Sequence, residues 1–160
     1  MNALINGVSA FMSNLSSLLV AVNLAMRQRD DARKALQAAL AAQQAAKAQL
    51  EQLNDYARET EARWGVRADA DFKPEVMYHH IQFMDRLGHA AGLQTTVVGD
   101  HEGRVNMARQ TLLQAELRLA SLSKVVDKRR SDIELANARR EQKQTDERAS
   151  LRYRNSQQEH

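Results

Sequence analysis

Apolar residues recur along most of this chain at alternating steps of three and four positions. The first such series begins at Leu4 and continues to Trp64 without a shift of phase. Its members, of which only Arg29, Gln43 and Thr60 are polar, are Leu4, Val8, Phe11, Leu15, Leu18, Val22, Ala25, Arg29, Ala32, Leu36, Ala39, Gln43, Ala46, Leu50, Leu53, Ala57, Thr60 and Trp64. Because this spacing keeps one stripe of a helix turned towards a partner, the series predicts the seam of a coiled coil.

A second series with the same spacing forms the other half of the predicted seam. Its members are Met77, His80, Met84, Leu87, Ala91, Gln94, Val98, His101, Val105, Ala108, Leu112, Ala115, Leu119, Leu122, Val126, Arg129, Ile133 and Ala136. It crosses residues 88–103, whose glycines and β-branched residues disfavour a helix. These glycines all fall off the seam and the phase is unchanged. We therefore predict one continuous helix that is weakest, and easiest to fray or kink, near residues 95–103.

One segment separates the two series. Residues 64–75 read WGVRADADFKPE and contain the single proline of the chain. Gly65 can cap the end of one helix, and Asp69 or Asp71 can cap the start of the next. Pro74 suits the first turn of a helix, where its missing N–H is no loss. The segment therefore predicts a reversal of the chain.

The patterns together predict an all-α protein, namely a long antiparallel two-helix coiled coil (an α-hairpin) with a protruding C-terminal helix. The predicted elements are a single coiled-coil domain over 1–160, helix 1 over about 3–64, a hinge over 65–73 and helix 2 over about 74–152. The helices are expected to be antiparallel because a short connection forces neighbouring helices to reverse direction.

The position of the reversal also predicts which residues face each other. With its centre near residue 69, Leu53 should lie opposite Met84–Leu87. The same register places Leu15 near Val126 and Leu4 near Ala136. Everything beyond these last two positions is then expected to overhang the partner helix, which explains why the C-terminal stretch lacks an apolar stripe.

Composition agrees with long helices and excludes several classes of function. Hydrophobic residues make up 43% of the chain, much of it alanine, but aromatic residues only 4%, which is too few for a thick globular core. The chain has no cysteine, so disulfide and thiolate chemistry are excluded. Its 23 basic and 20 acidic residues are interleaved rather than gathered in a basic patch. We therefore expect no nucleic-acid partner.

The first 26 residues form the one long stretch without a charged side chain, but asparagines and serines interrupt its apolar positions. A membrane-spanning helix needs about 20 predominantly apolar residues, and a signal peptide starts with a positively charged region. The stretch has neither property. It predicts an apolar helix buried against a partner, with no stable membrane insertion.

The sequence offers no motif for catalysis or for binding a cofactor. It has no glycine-rich phosphate loop, no nucleophile elbow and no zinc-ligand spacing. His79 and His80 are adjacent and would point about 100° apart on a helix, which does not suit a shared metal ion. We predict a protein that is not an enzyme and holds no cofactor or metal.

Three stretches carry a resemblance to a known family. The run Asn137–Ala149, NARREQKQTDERA, places an acidic residue before Gln-Lys, with Asp-Glu and Ala following among basic residues. The charged segment Lys124–Arg130 precedes it, and YHHIQFMDRL, beginning at Tyr78, is an aromatic-led start to the second helix. In order and spacing these resemble the FliJ family of flagellar export proteins, over residues 30–154. The uncharged N-terminus departs from the flagellar members and favours the YscO-like injectisome relatives.

The resemblance implies a fold, a location and a set of partners. Proteins of this kind are antiparallel coiled coils similar to the central stalk of rotary ATPases. The implied partners are a hexameric type III secretion ATPase, the cytoplasmic domain of the export-gate protein and export chaperones. The implied location is the cytoplasm, peripheral to the secretion apparatus of the inner membrane.

The resemblance also implies a stripe that contacts the export gate near the start of helix 2. Carried over to this chain, the stripe is Phe83, Leu87 and Ala90, followed by Gln94 at a position where the family often has histidine. The alternative interpretation is that Leu87 is a seam residue that Phe83 flanks.

The C-terminal stretch is the candidate for binding the ATPase ring. Five basic residues are expected to face acidic loops of the ring, namely Arg139, Arg140, Lys143, Arg148 and Arg152. The acidic residues Glu141, Asp146 and Glu147 would temper this charge. The alternative is a solvated helical tail, or one disordered until it binds.

Other classes of protein fit parts of the pattern. A structural or adaptor coiled coil without an ATPase partner would show the same seam, but would have no reason to resemble the FliJ ending. Nucleic-acid binding through residues 124–160 is disfavoured, because the surplus of basic over acidic residues there is small. Membrane attachment through the N-terminus is disfavoured because no Lys or Arg precedes Arg27.

Overall fold

The computed structural model consists of two long α-helices packed against each other. Helix α1 spans Asn2–Val66 and helix α2 spans Pro74–Gln158. The structure describes the backbone of residues 2–66 and 73–158, with the side chains of these residues except 2–5, 8, 11 and 66. Within this part of the chain there is no strand. The prediction of an all-α hairpin is confirmed.

The chain divides into two compact units, each built from a segment of both helices. One unit comprises Asp30–Gln114, and the other comprises Met1–Arg29 with Ala115–His160. In the unit formed by residues 30–114, Gln94 of α2 bonds to Ala46 of α1, and Phe83 of α2 contacts Tyr56 of α1. The residue numbers rise along one helix as they fall along the other, so these segments are antiparallel. That the chain is a single domain stays a prediction.

Burial follows the predicted seam closely. Every seam residue of α1 whose side chain is described is at least partly buried, and so is every seam residue of α2 from His80 to Ile133. The fully buried hydrophobic residues are Ala25, Ala32, Ala46, Leu87, Val105 and Val126. Those of α1 are all alanines, whereas those of α2 are larger. Small side chains on one helix let the two backbones approach, and the larger ones on the other fill the remaining space.

Two predicted seam positions are wrong. Met77 and Ala136 are both exposed. They are the first and last members of the second series, so neighbouring seam residues can cover them from one side only. The predicted seam residues Leu4, Val8 and Phe11 lie outside the described side chains.

Helix α2 is continuous through the glycine-rich stretch, as predicted. No described glycine has a positive φ, and a Cβ built on each glycine there would meet nothing within 4 Å. The hydroxyl groups of Thr95 and Thr96 donate hydrogen bonds to the carbonyls of Ala91 and Gly92, at 2.9 and 3.4 Å. The helix is maintained here because its glycines lie off the seam, where they leave the apolar contacts intact.

Pro74 is the first residue of α2, which confirms its predicted place. The carbonyl of Lys73 accepts hydrogen bonds from the backbone N–H groups of Val76 and Met77, at 3.0 and 3.3 Å. The prediction that Gly65 caps α1 is wrong, because α1 continues to Val66 and Gly65 keeps a helical backbone. The predicted caps Asp69 and Asp71 lie outside the described residues.

Candidate functional site

The predicted gate-binding residues occupy one stripe of α2. Phe83, Leu87, Ala90 and Gln94 follow the steps of four, three and four that place side chains on a single helical face. Their exposures differ because this face is turned partly towards α1. Phe83 is 41% exposed, Leu87 only 9%, and Ala90 and Gln94 lie between buried and exposed. In this conformation Leu87 is a seam residue and Phe83 flanks it.

An aromatic pair joins the two helices beside this stripe. The rings of Phe83 on α2 and Tyr56 on α1 meet edge to face, with their centroids 5.9 Å apart. Such a geometry is favourable for aromatic rings. Tyr56 is nevertheless 51% exposed, so the pair presents apolar surface and a hydroxyl group to solvent. The sequence analysis did not single out Tyr56, although the predicted register would have placed it near Phe83.

Gln94 is anchored to α1. Its Nε2 atom donates to the backbone carbonyl of Ala46 at 2.9 Å and to Oε1 of Gln49 at 3.1 Å. An open groove of about 490 Å³ adjoins it. The groove is lined by Gln49, Gln52, Leu53, Tyr56 and Gln94. With amides, a phenol and one leucine but no charged side chain, this lining suits an uncharged segment of a partner better than an ion.

Aromatic contacts also account for the two adjacent histidines. The ring of His80 stacks on Trp64 of α1, with centroids 4.0 Å apart and an interplanar angle of 22°. The ring of His79 meets Tyr78 edge to face at 6.0 Å. The two imidazoles are therefore engaged with different neighbours. Among the described residues, no group of three or more His, Asp or Glu side chains could hold a metal ion.

The end of α2 is a helix without a partner face. We define the C-terminal tail as residues 138–158, and every side chain in it is exposed. Its hydroxyl groups bond locally, for example Thr145 to the carbonyl of Glu141 at 2.9 Å. The predicted ring-binding residues Arg139, Arg140, Lys143, Asp146, Glu147, Arg148 and Arg152 all lie in this tail.

The seven predicted ring-binding residues do not share one face. At about 100° per residue, Arg148 and Arg152 point about 140° and 180° away from Lys143. Asp146 and Glu147 lie on the same side of the helix as Lys143. These three residues line an open depression of about 560 Å³. The remaining residues of its lining are Ser150, Leu151 and Arg154, which the sequence analysis did not select.

Among the described side chains of the uncharged N-terminal stretch, every seam residue is at least partly buried. Ala25 is buried, whereas several larger apolar side chains of the same stretch stay exposed. These are Met12, Leu19, Val20, Leu24 and Met26. Within the described residues, neither helix has a segment long and apolar enough to cross a membrane.

Comparison with known proteins places the chain beside a described family. Residues 12–158 match the sequence model of a family described as "Flagellar FliJ protein". The matched range includes the aromatic pair, the groove and the C-terminal tail. No curated protein and no solved structure matches the chain.

Proposed function

This chain belongs to the flagellar FliJ protein family, and we propose that it is the central stalk of a type III secretion ATPase. Membership of the family implies a component of the flagellar export apparatus. The observation that carries the finer proposal is the C-terminal tail, which is helical, charged and exposed on all sides. The match is to a family described as flagellar, so the leaning towards injectisome relatives stays a prediction.

The tail has the properties that a ring-binding helix needs. Its lack of an apolar stripe leaves it unable to bury a face against a second helix. Its basic residues can instead pair with acidic side chains of the hexameric ATPase. Exposed ion pairs contribute only about 0.2–1 kcal/mol each, so several must act together. The interspersed Glu141, Asp146 and Glu147 keep the total attraction modest, which would let the contacts change as the ring cycles.

The second contact of the proposed stalk is with the cytoplasmic domain of the export-gate protein. Phe83 is the accessible member of its stripe, whereas Leu87 is buried and Gln94 is bonded to α1. We therefore expect Phe83 to make the main contact, with Ala90 beside it. In this proposal Leu87 and Gln94 act by holding α2 in register with α1. Tyr56 would support the Phe83 ring from the other helix.

The proposed role is mechanical rather than catalytic. The tail would contact the ATPase and the stripe would contact the gate, so that one chain couples the two, and it would assist export chaperones and their substrates. This work would take place in the cytoplasm, at the periphery of the inner-membrane secretion apparatus. No cofactor, metal ion or nucleic acid takes part in it.

Co-purification with the secretion ATPase of the same system tests the proposal. The full-length chain should bind the ATPase at low salt. Raising the salt from about 0.1 M to about 1 M shortens the Debye length from about 10 Å to about 3 Å. The higher salt concentration should therefore release most of the bound chain from the ATPase. A chain that does not bind the ATPase at any salt concentration would instead be a structural or adaptor coiled coil, and the stalk proposal would be wrong.

A further inference from the structure

One flank of the seam is uncharged in the unit formed by residues 30–114. On this flank, residues spaced by seven positions along each helix lie directly beside the seam. They are Ala42, Gln49 and Tyr56 on α1, and Phe83, Ala90 and Val97 on α2. We name these six residues the flank face. Two-stranded coiled coils usually carry charged residues beside the seam, so an uncharged flank is a departure from that pattern.

Both helices contribute to the flank face at the same levels of the hairpin. The rings of Tyr56 on α1 and Phe83 on α2 are in edge-to-face contact, which fixes one level. Because the helices are antiparallel here, a step of seven residues along each brings Gln49 to the level of Ala90. The hydrogen bond from Gln94, one turn after Ala90, to Oε1 of Gln49 agrees with this register.

The flank face leaves apolar surface open to solvent. Tyr56, Phe83 and Val97 are exposed, and so is Leu93 at its outer edge. On the opposite flank, the residues at the same levels are Lys47, Asn54, Gly88 and Thr95. None of these four is a hydrophobic residue, so the exposed apolar surface belongs to one flank.

Charged residues mark the limits of the flank face. The next residues in the two series of seven are Arg63 on α1 and Arg104 on α2, which close the face at its two ends. Glu59 and Arg86 lie along its outer edge. The face is therefore a bounded apolar surface rather than a general property of the rod.

A third helix fits this surface better than an extended segment does. A helix that adds an apolar flank column to its two seam columns has the pattern of helices in bundles, where each has more than one neighbour. An extended partner would need hydrogen-bond partners for its backbone, and the flank face offers few, since Gln49 already bonds to Gln94. A helix satisfies its own backbone. From Phe83 to Val97 the face is about 21 Å long, which about four turns of a helix would cover.

We propose that the flank face binds an apolar helix of the export-gate protein's cytoplasmic domain, which adds a third helix to the coiled coil. The inference rests on the proposed function, because Phe83 and Ala90 belong both to the flank face and to the proposed gate-binding stripe. It makes Tyr56 of α1 a direct contact of the partner and extends the contact along α2 to Val97. The gate is then held by both helices, through apolar contacts rather than ion pairs.

A lysine at Val97 tests how far the contact extends along α2. The variant V97K in the full-length chain places a charge on the flank face, and burying that charge against an apolar helix is costly. Affinity for the purified cytoplasmic domain of the gate protein should fall about tenfold, equivalent to about 1.4 kcal/mol. V125K is the matched control, because Val125 is a similarly exposed valine of α2 in the other compact unit. It should bind within about twofold of the original chain.

A lysine at Gln52 tests whether α1 takes part. Gln52 is exposed and lines the open groove together with Gln49 and Tyr56 of the flank face. The variant Q52K should weaken gate binding about fivefold or more, or about 1 kcal/mol. Q44K makes the same change at an exposed glutamine of α1 away from the flank face and should bind normally. Circular dichroism should show unchanged helicity in these variants, because lysine is a good helix former.

The response to salt tests the chemistry of the contact. The affinity of the original chain for the gate domain should change less than about threefold between about 0.1 M and about 1 M salt, because salt screens charges and leaves apolar contacts in place. A much larger loss would show that ion pairs hold the gate, and the apolar flank face would not be its site.

The outcomes separate this inference from the proposed function. Normal binding by Q52K or by V97K, or equal weakening by a variant and its control, would overturn the flank face, while Phe83→Ala would still test the proposed stripe. If the original chain does not bind the gate domain at all, the inference and the gate contact of the proposed function are both wrong, and ATPase binding by the tail is unaffected. If the chain instead forms dimers that V97K dissociates, the occupant is a second copy and the inference is wrong.

Discussion

Single residues of the proposed gate-binding stripe show how packing against α1 limits which side chains of one face of α2 stay exposed. Leu87 points into the seam and is buried, whereas Phe83, one turn earlier, lies at its edge and keeps two-fifths of its surface exposed. The amide nitrogen of Gln94 donates a hydrogen bond to the backbone carbonyl of Ala46 on α1. The sequence resemblance treats these residues as equivalent. The structure separates them, because a small change of angle around the helix decides which side chain α1 covers.

Replacing Phe83 by alanine should weaken gate binding more than it lowers helicity. The ring contributes exposed apolar surface, and its loss removes one edge-to-face contact that is worth about 0.5–1.5 kcal/mol. Affinity for the cytoplasmic domain of the gate protein and thermal unfolding are the two measurements. Ile81→Ala is the matched control, because Ile81 is also exposed on α2 but points away from Phe83. Equal loss of affinity in the two variants, or a loss that only follows reduced helicity, would show that Phe83 serves packing.

At the scale of the helices, most of the fold could be predicted from the sequence. The seam was visible because apolar residues keep one phase through both helices, and Pro74 marked the start of α2. The glycine cap at Gly65 could not be predicted reliably, because a helix end depends on backbone angles that the hydrophobic pattern does not determine. The aromatic pair depends on the register between the helices, which the sequence indicated only to within a turn.

The glycine-rich stretch of α2 gives a prediction for an element. Gly92 and Gly99 are exposed, helical and surrounded by open space, so alanine fits both positions without strain. Each replacement in a helix interior is expected to stabilise by about 0.5–1 kcal/mol. The double variant G92A/G99A should therefore unfold at a higher temperature than the original chain, as followed by circular dichroism. Gly65→Ala, in the last turn of α1, is the control and should have a smaller effect because helix ends fray.

A lower or unchanged melting temperature of G92A/G99A would mean that these glycines serve a purpose that a continuous helix does not explain. The local hydrogen bonds of Thr95 and Thr96 can bend a helix, and glycines beside them make bending easier. Loss of gate or ATPase binding in the stabilised variant would then indicate that α2 has to bend when it works.

Across the whole chain, charge and burial are distributed unevenly. The first 26 residues carry no charge, the described seam residues from Leu15 to Trp64 and from His80 to Ile133 are at least partly buried, and the tail is charged and exposed. We therefore expect stability to come mainly from the seam, because the described side chains of the tail are all exposed. Membership of the FliJ family indicates that a partner of the tail would belong to the export apparatus. The proposed function depends on this separation between the part of the chain that folds and the part that binds.

The measurement that tests the stalk proposal most directly is ATPase turnover with and without the tail. The full-length chain should stimulate the purified secretion ATPase, and a chain lacking residues 138–160 should not. The deletion should leave the thermal stability of the remaining coil nearly unchanged, because the described side chains that it removes are all exposed. Full stimulation by the truncated chain would contradict the account, since another part of the protein would then stimulate the ATPase.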